Sequence, residues 1–275
     1  MDWNKTNIIL ITAFIILNVF LLVSLKNMDS LEYKPVNDEE FVQNVKELLK
    51  ERNITINADI PEDNIILPIL ETKYDIINVN SDLLHNFLNE EIEPMVDVYT
   101  YGNSKGETLE IIDKKQLKFI LRDKKSDKIE GLDIIEEINK FLEEKNIDAE
   151  GYEINNTHIF DSEIVYIYTK KHNDYSMDNS YMNFFADNEG IYKFEMQEII
   201  SSEEITEKVR LISAMEALPR ILTYPDINNK EIIKIEMTYY SVEDENWQNI
   251  ERINSYPTWK ITFNDGTQKH LPSVD

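Results

Sequence analysis

The sequence predicts an α+β protein: an N-terminal transmembrane helix, then an extracellular domain of antiparallel sheets with packed helices. Three observations predict it. A long uncharged apolar run occupies residues 8–25. Farther along, apolar residues recur at helical spacing in short stretches such as Phe41, Val42, Val45, Leu48 and Leu49. Elsewhere Tyr, Ile and Phe alternate with polar residues and end in turn signals, as half-exposed antiparallel strands do. Helices set between runs of adjacent strands spell α+β.

The apolar run lies between Lys5 and Lys26 and is interrupted by Thr12, Asn18 and Ser24. Eighteen helical residues span about 27 Å, close to the hydrocarbon thickness of a bilayer. A cleaved signal peptide would want a stronger basic start and an A-x-A-like site. Leu22-Val23-Ser24 fits that poorly, so the run reads as an uncleaved anchor, with Trp3 where an interfacial aromatic belongs. Lysines flank both ends, so they do not orient it. Lys5 and Lys26 balance Asp2 and Asp29, so the whole formal charge of -25 lies beyond residue 30. An acidic bulk on the outer side is the comfortable arrangement. The expected order is a cytoplasmic stub (1–7), the membrane helix (8–25), a linker (26–38) and an extracellular domain (39–275) in the cell membrane.

At about 100° per residue, Asn7, Ile11, Phe14, Asn18 and Leu25 share one stripe of that helix. An amide in the membrane wants a hydrogen-bond partner, and such a bond is worth about 0.6–2 kcal/mol. Two readings of Asn18 stand open. The stripe meets another membrane protein, or the amide bonds its own backbone or a water.

Composition narrows the chemistry. Lys and Arg total 28 against 53 Asp and Glu, which argues against nucleic acid as a partner. There is no cysteine, hence no disulfide, thiolate metal site or cysteine nucleophile. The histidines are His85, His158, His172 and His270, none in a metalloprotease pattern; His158 with Asp161 is a weak metal pair. Gly102-Asn103-Ser104-Lys105-Gly106 has Glu107 where a phosphate loop needs lysine, so it reads as a turn. No cofactor or metal is expected. Tyr239, Tyr240, Tyr256 and Trp259 either line a groove for a glycan or peptide or pack within a sheet.

The first helical stretch ends in Glu51-Arg52-Asn53-Ile54. After 93 positions Ile134, Ile135, Ile138, Phe141 and Leu142 repeat its spacing and end in Glu144-Lys145-Asn146-Ile147. The match suggests two related helix-plus-strands units, 39–125 and 130–275. Strands are expected at 54–60, 65–70, 95–101, 109–112 and 115–121, with a helix from Ser81 as N-cap. The second unit adds strands at 163–169, 181–186 and 191–200, and a helix over 203–222. Strands at 231–240, 257–263 and 268–271 close the chain.

Several segments together resemble the YycI (WalI) family. They are Met1-Asp2-Trp3-Asn4-Lys5 before the apolar helix, and Ser213-Ala214-Met215-Glu216-Ala217-Leu218. The others are 232–237 running into Tyr239-Tyr240, and Tyr256-Pro257-Thr258-Trp259-Lys260-Ile261. Trp3, Ser213, Glu216, Ala217, Tyr239, Tyr240, Pro257 and Trp259 carry the resemblance. Thr238 departs from it, since the family tends to have glycine there. The resemblance implies a YycH-like extracellular fold and no catalytic step. It also implies association with a WalK (YycG) type sensor histidine kinase and a YycH-like membrane protein through transmembrane helices, in control of Gram-positive cell-wall metabolism. The alternative is a tethered extracellular ligand-sensing or cell-envelope hydrolase domain.

Overall fold

The computed structural model describes residues 14, 17–18, 39–61, 65–127, 134–242 and 250–272. Phe14, Leu17 and Asn18 are helical. Trp3, Asn7, Ile11 and Leu25 lie outside the described residues, as do the linker and the remainder of the predicted membrane segment. Among the described residues no helix is long and apolar enough to cross a membrane.

From residue 39 onward the structure is mixed α and β. Helix α1 (Glu39–Lys50) starts with acids and ends with a lysine, the order its dipole favours, and buries Val45 and Leu49. Strands β1 (Thr55–Ile56) and β2 (Ile66–Tyr74) precede helix α2 (Ser81–Leu88). Asn80, one residue before the expected Ser81, caps α2 by accepting from Leu83 N at 2.8 Å. Strands β3 (Thr100–Gly102), β4 (Thr108–Ile112) and β5 (Gln116–Ile120) form a meander, followed by helix α3 (Ile135–Glu144). Five strands come next: β6 (Tyr152–Phe160), β7 (Glu163–His172), β8 (Tyr175–Asp187), β9 (Gly190–Gln197) and β10 (Ile199–Arg210). Helix α4 (Ala214–Ala217) runs into a 3-10 turn (Leu218–Thr223), and β11 (Glu231–Tyr240), β12 (Arg252–Phe263) and β13 (Gln268–Pro272) finish the fold.

The main sheet has the order β10-β2-β12-β11-β8-β9-β5-β4-β3; β13 adds to β12, and β6 to β7. Pairing is antiparallel except where β1 and β8 each run parallel to β11. Two cores flank it. In one, Val45 and Leu49 pack with Ala217, Ile235, Trp259 and Ile261. In the other, Phe141 meets Phe184 edge-on at 5.8 Å and lies 5.1 Å from Phe194.

Three expectations need correction. The helix foreseen over 203–222 is half strand: β10 pairs with β2 from Ile199↔Tyr74 to Arg210↔Ile66, with bulges absorbing its irregular register. Helix survives only beyond Ser213, and Pro219 sits in the following 3-10 turn. Strand β6 was not foreseen, because polar residues at 155–158 hide it; it is an edge strand paired with β7 alone. The strands expected at 54–60 and 95–101 shrink to Thr55–Ile56 and a start at Thr100.

Candidate functional site

Strand β12 builds the site. Its residues Arg252 to Ser255 pair with β2, whereas Thr258 to Thr262 pair with β13. One edge of β12 therefore changes partner at Tyr256 and Pro257. Proline offers no N–H to a ladder, and the Tyr256 carbonyl accepts from Thr258 Oγ1 at 2.9 Å. A cleft of about 840 Å³ opens on the sheet face at this split. Side chains alternate along a strand, so Arg252, Asn254, Tyr256 and Thr258 share a face, and all four line the cleft. Tyr240 stands opposite Tyr256 in the β11–β12 ladder. Ile69 and Val209 add apolar wall from β2 and β10. Glu71 and Glu207 are also lining residues, and Arg252 Nη1 lies 2.5 Å from Glu71 Oε1.

His270 closes one end. Its ring lies parallel to that of Tyr240 at a centroid distance of 3.8 Å and 4°. Its Nε2 is 2.6 Å from Asp178 Oδ2. Lys260, opposite His270 in the ladder, donates to Asp178 Oδ1 at 3.0 Å and pairs with Glu236 Oε1 at 3.0 Å. The Lys260 and Asp178 side chains are 2% and 7% exposed. Burial alone would raise the Asp178 carboxyl, but the His270 hydrogen bond and the Lys260 charge outweigh it and hold it low. Burial likewise pulls Lys260 down, yet Asp178 and Glu236 keep it raised. Each buried charge is tolerated because the next one answers it.

The other histidines do not join this cluster. His85 is exposed on α2. His158 stacks beside Phe160, and burial lowers its basicity. His172 bridges Ser202 and Glu204 at 3.1 and 3.2 Å. Among the described residues no three His, Asp or Glu side chains converge as a metal site. The 102–106 loop is a hairpin turn held by Asn103, whose Oδ1 accepts from Lys105 N and Glu107 N.

A family model described as YycI protein matches residues 35–272, from before α1 to the end of β13. The chain belongs to the YycI family. Among solved structures it is similar to YycH from Bacillus subtilis, with a TM-score of 0.53 at 12% identity, covering 77% of this chain and 53% of that one. The YycI-family chain thus spans about half the length of that YycH chain, and the likeness is one of fold. An uncharacterized protein from Eubacterium rectale superposes with a TM-score of 0.43 at 12% identity, over 83% of this chain and 94% of the other. The YpeB C-terminal domain of Bacillus megaterium gives 0.32 at 13%, over 69% and 95%. No curated protein matches significantly.

The residues that carried the YycI resemblance fall into two places. Tyr240 and Pro257 line the cleft. Trp3 lies outside the described residues, and the other five lie away from the cleft. Tyr239 is buried on the opposite face, its hydroxyl donating to Pro68 O at 3.1 Å, and burial pushes its ionisation up to about 12. Trp259 Nε1 donates to Ile212 O at 2.9 Å within the first core. Ser213 and Glu216 cap α4 reciprocally: Glu216 N donates to Ser213 Oγ at 3.2 Å and Ser213 N to Glu216 Oε2 at 2.9 Å. Ala217 is fully buried beside them. Of the four aromatics weighed for a groove, then, Tyr240 and Tyr256 line one and Tyr239 and Trp259 pack. In the N-terminal segment, Asn18 Nδ2 donates to Phe14 O at 2.9 Å, the bond to its own backbone that was one of its two readings.

Proposed function

We propose that this YycI-family chain is a non-enzymatic regulator of a WalK (YycG) type sensor histidine kinase that governs cell-wall metabolism. It acts with a YycH-like membrane protein, from the outer face of the cell membrane, held by the helix at 8–25. The family match over residues 35–272 carries this reading, and the YycH-like fold supports it. Regulation of this kind means binding one kinase state more tightly than the other. A difference of about 1–3 kcal/mol changes the state ratio about 5–150-fold. The membrane stripe of Asn7, Ile11, Phe14, Asn18 and Leu25 is the proposed contact.

The test exchanges the apolar helix for an unrelated membrane anchor and, separately, makes Asn18→Leu. Association with the kinase is read in a bacterial two-hybrid assay, alongside kinase output. The exchange is expected to abolish both and Asn18→Leu to weaken them modestly. Unchanged signals after the exchange would sink the membrane contact. The cleft favours a second reading, in which the folded part also binds a ligand.

A further inference from the structure

The cleft has a definite chemical character. Much of its lining is apolar and aromatic: Val242 is 76% exposed and Tyr256 43% exposed, and Tyr240, Ile69 and Val209 line it too. Its size falls within the range of about 300–1,000 Å³ typical of ligand sites. Four strands lie side by side beneath it, β10-β2-β12-β11. With neighbours about 4.8 Å apart, that floor measures about 14 Å, the reach of four to five extended residues.

The charges around it have one sign to spare. Arg252 is answered by Glu71. Glu207 is exposed and has no ion-pair partner among the described residues. The protein as a whole carries -25. An anionic ligand would be repelled. A basic group over Glu207 is welcomed, while apolar groups cover Tyr256 and Val242. The split edge of β12 is closed by Pro257 and by the Thr258 hydroxyl on the Tyr256 carbonyl, so recognition runs through side chains and not through strand addition.

We propose that this cleft binds an extended segment of a partner protein in which apolar and basic side chains alternate. Extended backbone places successive side chains on opposite sides, so the apolar set enters the cleft while the long stems of the outward basic set fold back over its rim to Glu207 on the outermost strand β10. The site rests on the cleft alone and stands whether or not the membrane stripe contacts a kinase.

The test uses the full chain in phosphatidylcholine nanodiscs, with empty nanodiscs as blank, and fluorescein-labelled hexapeptides read by anisotropy. The peptides are Lys-Leu repeats, Glu-Leu repeats and Lys-Ser repeats. Lys-Leu is expected to bind at least about ten-fold more tightly than either of the others. Val242→Asp and Tyr256→Asp should each weaken it about ten-fold or more. Val242 is exposed two residues beyond the end of β11, so its variant tests the site even if Tyr256→Asp disturbs folding. Glu207→Lys should weaken it about five-fold, and Glu144→Lys, an equal charge change on α3, should not. Lys-Ser binding as well as Lys-Leu, a preference for Glu-Leu, or equal losses from Glu144→Lys and Glu207→Lys would each overturn the proposal.

Discussion

The Thr238 hydroxyl donates to the Ser176 carbonyl at 2.7 Å, across the short parallel contact that joins β11 to β8. Thr238 is fully buried. The two registered pairs there, Thr238↔Ser176 and Tyr239↔Met177, join the strands of one core to those of the other. Thr238 also stands where the sequence resemblance led us to expect glycine.

Thr238→Val keeps the branched shape and removes the hydroxyl. The expected loss is about 1–2 kcal/mol, the cost of a buried hydrogen bond whose acceptor stays behind. Thr238→Gly should lose about 1 kcal/mol more, through added chain entropy in a strand. Urea midpoints with unchanged slope check both. A Thr238→Val protein as stable as the parent would deny the contact this role.

Helices α1 and α3 end alike. Asn53 and Asn146 have φ of 55° and 54°. Ile54 N donates to Leu49 O and Ile147 N to Leu142 O, while each Asn N–H reaches three residues back. Both are Schellman endings, with a buried or half-buried isoleucine folded back onto the helix. Asn146→Ala should cost about 1–2 kcal/mol because alanine resists the left-handed conformation, and Asn146→Gly should cost nothing. Asn53→Gly should not be neutral, since Asn53 Nδ2 also donates to Asn229 Oδ1 at 2.9 Å. Thermal melts of the three variants separate conformation from side-chain bonding.

These endings were legible in the sequence, because periodicity and a terminal asparagine are local signals. Strand β10 was not. Ile205 and Val209 sit four apart among charged residues and imitate a helix face, while the pairing that makes them strand lies with β2 more than a hundred residues earlier. The cleft failed for a related reason. Tyr239 and Tyr240 are neighbours of one type, and only register decides which one faces the core. The Asp178 network was equally hidden, since His270 and Lys260 lie 92 and 82 residues away from it along the chain.

That network makes a sharp stability prediction. Lys260→Met leaves Asp178 and Glu236 without their shared cation, and breaking a buried pair from one side costs about 3–5 kcal/mol. Asp178→Asn should also destabilise, by leaving Lys260 to Glu236 alone. The double variant should lose less than the sum by at least about 1 kcal/mol, because each partner's absence relieves the other. Additive losses in a urea double-mutant cycle would mean the two charges act independently.

Acid should find a different weak point. Asp187 is wholly buried as a side chain and accepts from Arg122 Nη1 and Nη2, each at 2.6 Å. Lys125 N and Glu189 N donate to it as well. Burial would raise its carboxyl, but Arg122 and the two backbone donors outweigh that and bring it from 3.8 to about 2. A carboxyl depressed on folding stabilises the protein above its unfolded value, and that share is lost as pH falls through the folded one. The parent should therefore exceed Asp187→Asn by about 2 kcal/mol at neutral pH. The gap should close between about pH 4 and pH 2. Urea midpoints of the two proteins across that range decide it: a gap that stays constant as pH falls would show that Asp187 holds its turn by shape and not by charge.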